Sequence, residues 1–107
     1  MLSDNNLSRS EKEVLSVIYE SEEKLSLRGV MELVNKKYNH KWKPQTVSTF
    51  LCRIAHKGYL ESERKGRYMY YSPTIDWNTN LKNELKDIAY MYFNGDMEQL
   101  KKYINEI

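Results

Sequence analysis

The sequence predicts a mainly α-helical chain with one small β-hairpin, arranged as a winged helix-turn-helix and followed by a helical tail. Three observations carry this prediction. Advanced by about 100° per residue, residues 44–57 bring Val47, Phe50, Leu51 and Ile54 to one side and leave Gln45, Thr49, Cys52 and His56 opposite. Two aromatic-rich runs then flank Lys65-Gly66-Arg67, a short loop with the glycine that a tight hairpin needs. The third observation is charge. Residues 33–68 hold nine Lys/Arg against Glu61 and Glu63, a net +7, while the remainder holds eight against thirteen acids, a net −5. An uncharged, hydrogen-bonding helix face beside a basic hairpin is the arrangement of a reader of double-stranded DNA.

The elements follow in order. Residues 1–7 form a polar lead-in. Ser8-Arg9-Ser10-Glu11 matches a capping box, in which Ser8 caps the backbone and Glu11 reaches back. Leu7, Val14, Leu15 and Ile18 then supply an apolar stripe at helical spacing to about Glu20. After a polar connection at 21–24, Leu25-Ser26 fits a very short strand, with Ser26 placed to cap the next helix. That helix runs from about Leu27 to Tyr38 with Val30, Leu33 and Val34 on one side, and Asn39-His40-Lys41 breaks it. Pro44 suits the first turn of a third helix, where its missing N–H costs nothing. Lys57-Gly58 supplies a basic last turn and a left-handed stop. Strands are expected at 59–64 and 68–72. Pro73 and Asp76 close the hairpin and open a helix over Trp77–Phe93; Asn94-Gly95 ends it, and Asp96 caps a last one to about Glu106. The chain divides into a winged-helix DNA-binding domain at 1–74 and a helical dimerisation region at 75–107.

The third helix offers amide, hydroxyl and guanidinium groups where a merely solvated helix carries Glu and Lys. These groups read base edges in the major groove: Arg takes guanine, Gln takes adenine, Thr takes either or a thymine methyl. Thr46 and Arg53 flank that face on one side and Ser48 on the other. No acid occurs between Glu32 and Glu61, which avoids repulsion from phosphates. Arg64, Lys65 and Arg67 cluster on the hairpin, too polar to pack inside, and suit phosphate or an adjacent minor groove. In the tail, Leu81, Leu85, Ile88 and Tyr92 recur every three to four residues with Ala89 beside them, and Met97, Leu100, Ile104 and Ile107 do the same in the next helix. A second copy of the tail is the simplest cover for these stripes. The expected assembly is therefore a homodimer, whose two-fold symmetry matches a palindromic operator.

Other classes fare worse. Cys52 is the single cysteine, so there is no disulfide framework and no cysteine-based zinc cluster, and His40 and His56 lack ligand spacing with it. No Ser/His/Asp set or phosphate-cradling loop is present, and there are only four glycines, so neither an enzyme nor a cofactor is expected. There is no secretory h-region and no apolar run of about 18 residues. That pattern predicts a soluble, cytoplasmic protein without membrane insertion. The alternative to a DNA reader is a winged-helix module for protein contact, which favours a neutral or acidic recognition face.

The ordered set of Trp42, Pro44, Thr46-Val47, Thr49, Leu51, Arg53, Lys57-Gly58-Tyr59-Leu60, Arg64-Lys65-Gly66-Arg67 and Tyr70-Tyr71-Ser72-Pro73 resembles the penicillinase-repressor family, copper-responsive relatives included. The opening Leu7-Ser8, Glu11 and Glu13-Val14-Leu15, and the later Phe93-Asn94-Gly95-Asp96-Met97, fit the same pattern. The resemblance implies a dimeric repressor of resistance or metal and stress operons, bound to a palindromic operator until an inducing signal arrives. By position it implies Lys43, Gln45, Thr46, Thr49 and Arg53 as recognition-helix contacts, with residues 64–67 as the wing. In the antibiotic branch it further implies a membrane-bound sensor-protease as partner, which triggers cleavage in the dimerisation region. The Asn-Phe bond cut there is absent from this chain, and Tyr103-Ile104 stands near its place. The C-terminal cysteine cluster of the copper branch is absent as well.

Overall fold

Two local signals set most of the helices in place, a side-chain cap at the start and a left-handed or extended residue at the end. The computed structural model describes residues 6–107; residues 1–5 of the expected lead-in lie outside the described residues. Helix α1 (Arg9–Glu20) opens on the complete capping box, with Ser8 Oγ accepting from the Glu11 amide and Glu11 Oε1 accepting from the Ser8 amide. Strand β1 (Leu25–Ser26) leads directly into α2 (Leu27–Tyr38), which Ser26 caps through the Gly29 amide. Asn39, with φ of 58°, terminates α2 in the left-handed region.

Helix α3 spans Pro44–His56 and ends in a Schellman arrangement. The Tyr59 amide donates to the Ile54 carbonyl and the Gly58 amide to the Ala55 carbonyl, while Gly58 takes φ of 92°. Strand β2 therefore begins at Leu60, one residue after the expected Tyr59, because that amide closes the helix instead of joining the sheet. β2 (Leu60–Lys65) and β3 (Tyr68–Pro73) pair antiparallel, with Lys65 opposite Tyr68, so the turn is Gly66-Arg67 alone. Gly66 supplies positive φ at the first turn position, as a type II′ hairpin requires. The sheet has three strands in the order β1-β3-β2, with Leu25 opposite Tyr71 and Ser26 opposite Tyr70.

The described residues fall into two compact units that part between Ile75 and Asp76. The core of the first is Val14, Leu15, Val17, Ile18, Val30, Val34, Val47, Leu51, Ile54 and Leu60, all buried. Trp42, Phe50, Tyr59 and Tyr71 pack on its edge. Leu33, expected beside Val30 and Val34, is instead 41% exposed at the rim of the α1–α2 groove. In the second unit, α4 (Trp77–Phe93) and α5 (Met97–Glu106) are capped by Asp76 and Asp96 and joined through left-handed Asn94 and Gly95. Ala89 and Leu100 are buried there, and the Phe93 and Tyr103 rings meet at 5.9 Å.

Candidate nucleic-acid interface

Burying Val47, Leu51 and Ile54 turns the opposite side of α3 to solvent. Gln45, Ser48, Thr49, Cys52, Arg53 and His56 are all exposed along it, and Thr46 is half-buried at its edge. Lys43, the exposed N-cap residue, makes no capping bond, since an ammonium has no lone pair with which to accept one. The Thr49 hydroxyl donates back to the Gln45 carbonyl at 3.0 Å, which fixes its rotamer and leaves its oxygen able to accept. The wing supplies Arg64, Lys65 and Arg67, all exposed around the Gly66 turn.

The charge pattern sharpens once ion pairs are assigned. Of the nine cations at 33–68, Lys37 pairs with Glu20 at 3.0 Å and Lys57 with Glu11 at 2.7 Å. Lys57 therefore braces the fold. Burial acts to raise the Glu11 carboxyl, yet the Lys57 ammonium, the Ser8 amide and the nearby Arg53 charge together hold it below its ordinary value. Lys36, Lys41, Lys43, Arg53, Arg64, Lys65 and Arg67 form no ion pair among the described residues, which leaves their charge to an outside anion.

Two features escape a sequence reading. A groove of about 680 Å³ runs between the start of α2, Pro44 and β3, with Arg28, Met31, Arg67, Tyr68 and Tyr70 among its walls. Arg28 lies outside the basic segment and pairs with Glu32 at 3.2 Å, so charge counting passes over it. Asn35, half-buried in α2, bonds the backbone of Trp42 in the turn before α3. A lone Asn at helical spacing carries no such signal.

The tail residues separate into two sets. Leu81, Ile88, Tyr92 and Ile104 are exposed by 39%, 41%, 74% and 49%, and Leu85 is half-buried. Leu100 is buried at 5% exposure within the chain. Trp77 and Ile107 are likewise exposed, by 60% and 84%. Among the described residues, no helix is long and apolar enough to cross a membrane.

The penicillinase-repressor family model matches residues 7–104. The chain is 27% identical to a penicillinase repressor of Bacillus licheniformis over 94 residues, which is 88% of this chain and 71% of that protein. It is 30% identical over 71 residues to an uncharacterised 16.5 kDa protein of Latilactobacillus sakei, 66% of this chain and 47% of the relative. The fold is similar to the solution structure of the DNA-binding domain of the repressor BlaI, with a TM-score of 0.60 at 30% identity over 74% of this chain and 93% of that one. It also resembles the solution structure of monomeric Bacillus licheniformis BlaI in complex with the blaP half-operator, with a TM-score of 0.56 at 31% identity over 69% and 87% of the two chains. With the family pattern covering all of α1 to α4 and most of α5, this chain belongs to the penicillinase-repressor family, a family of repressors and not of enzymes.

Proposed function

We propose that this chain is a sequence-specific transcriptional repressor that binds a palindromic operator as a homodimer and controls an antibiotic-resistance or metal and stress-response operon. The observation that carries the DNA reading is the acid-free outer face of α3 together with a basic wing, with Lys43, Arg53, Arg64, Lys65 and Arg67 free of ion pairs among the described residues. Gln45, Thr46, Thr49 and Arg53 are the base-edge readers and Lys43 a flanking contact; the wing residues anchor phosphates. The complex of BlaI with a half-operator supports DNA as the partner. Dimerisation falls to Leu81, Leu85, Ile88, Tyr92 and Ile104. Leu100 supports that face from beneath by holding α5.

Selection from a random duplex pool, followed by gel shifts, tests the proposal. The enriched sequence should be a palindrome. Arg53→Ala should cost about 1–3 kcal/mol and relax discrimination at one base position. Lys65→Ala should weaken all duplexes alike and flatten the salt slope by about one unit. Wild-type behaviour from both variants would refute the roles given to helix and wing.

A further inference from the structure

The reading end of α3 is held from outside the helix. Lys43 gives α3 no capping bond, so the geometry of Lys43, Gln45 and Thr46 depends on the turn that precedes them. Asn35 controls that turn. Its Nδ2 donates to the Trp42 carbonyl at 3.0 Å, and its Oδ1 accepts from the Trp42 amide at 3.1 Å. The Asn35 backbone carbonyl meanwhile accepts from the amides of Asn39 and His40, which close α2. One residue thus ties the departing end of α2 and the arriving end of α3.

The surroundings stiffen this clamp. The Trp42 ring stacks on His40 at 4.0 Å with only 11° between planes, and leans on Phe50 at 5.0 Å. His40 Nε2 meets Glu13 Oε1 at 2.6 Å, which ties the turn to α1. A two-point carboxamide bond fixes direction as well as distance, because rotating the Trp42 peptide breaks one bond or the other.

We propose that Asn35 is a positioning residue for operator discrimination. It sets the direction in which α3 leaves the turn, and so where Lys43, Gln45 and Thr46 meet the duplex. This rests on the reading of α3 as the recognition helix. Base-edge hydrogen bonds weaken steeply with misalignment, whereas phosphate contacts from long Lys and Arg side chains carry no sequence information and tolerate small shifts. Releasing the clamp therefore removes discrimination and spares the sequence-independent component.

The test compares wild type, Asn35→Ala and Asn35→Asp on two probes: the duplex that wild type enriches from a random pool, and poly(dI-dC). Both are measured at one salt concentration, well below each variant's thermal transition. Asn35→Asp keeps the size and the acceptor but sets a carboxylate oxygen against the Trp42 carbonyl, which breaks the donor half of the clamp without leaving a cavity. Affinity for the enriched duplex should fall about tenfold in both variants, while affinity for poly(dI-dC) stays within about twofold. A merely structural role lowers the folded fraction and moves both affinities by one factor. An unchanged ratio overturns the proposal, and so does circular dichroism showing that neither variant folds. Wild type that fails to separate the probes overturns the recognition-helix reading itself, and this inference with it.

Discussion

At Glu11 a carboxylate with 2% exposure sits between the Ser8 amide and the Lys57 ammonium, and Lys57 also donates to the Asn6 carbonyl. Its two hydrogen bonds join the start of α1 to the end of α3, so one side chain both caps one helix and anchors the other. The folded carboxyl titrates below its ordinary 4.5. Folding therefore favours the ionised form, and the contribution is complete above that value and fades as pH falls through the lowered one. Glu11→Gln should cost about 1–3 kcal/mol near neutral pH, because it leaves Lys57 without its anion. Urea unfolding at stepped pH checks this: the gap between variant and wild type should narrow as pH falls below 4.5.

Among the elements, α5 carries the clearest consequence for induction. The Tyr103–Ile104 bond lies inside α5, where the Tyr103 ring packs on Phe93 at the end of α4. A peptide bond held in helical geometry must unwind before an extended-substrate protease reaches it. Intact-mass analysis of the repressor from induced cells should show an uncut chain; a fragment ending at Tyr103 would show that the tail opens. The bounds of α2 and α4 are readable from sequence because their punctuation is local: Ser26 and Asp76 at the starts, Asn39 and Asn94 at the ends. The exposure of Arg53, Arg64, Lys65 and Arg67 is readable too, since charge near a glycine turn or on the flank of an apolar stripe seldom packs inside. What sequence leaves hidden is non-local. The Lys57–Glu11 pair joins residues 46 positions apart, and a two-residue β1 has no period to betray its register with β3. The late start of β2 depends on the left-handed Gly58, which turns the Tyr59 amide back to α3.

For the whole molecule, the proposed dimer requires the exposed apolar face of the tail. Leu100 is the poorer site for disrupting it, since an acid at that buried position would separate α5 from α4. Leu81 and Ile88 are the better pair, exposed by 39% and 41%. Burying such side chains is worth roughly 1.5–3 kcal/mol each, so Leu81→Asp with Ile88→Asp should give a monomer in analytical ultracentrifugation, keep the helical content, and lower operator affinity steeply. A wild-type monomer at micromolar concentration would exclude the dimer. The Tyr19 hydroxyl donates to the Ile75 carbonyl at 2.5 Å, which pins the last residue of the DNA-reading unit to α1. In a symmetric pair that fixed point acts as a surveyor's datum. Each copy of the tail sets out from that one marked address on the reading unit it serves.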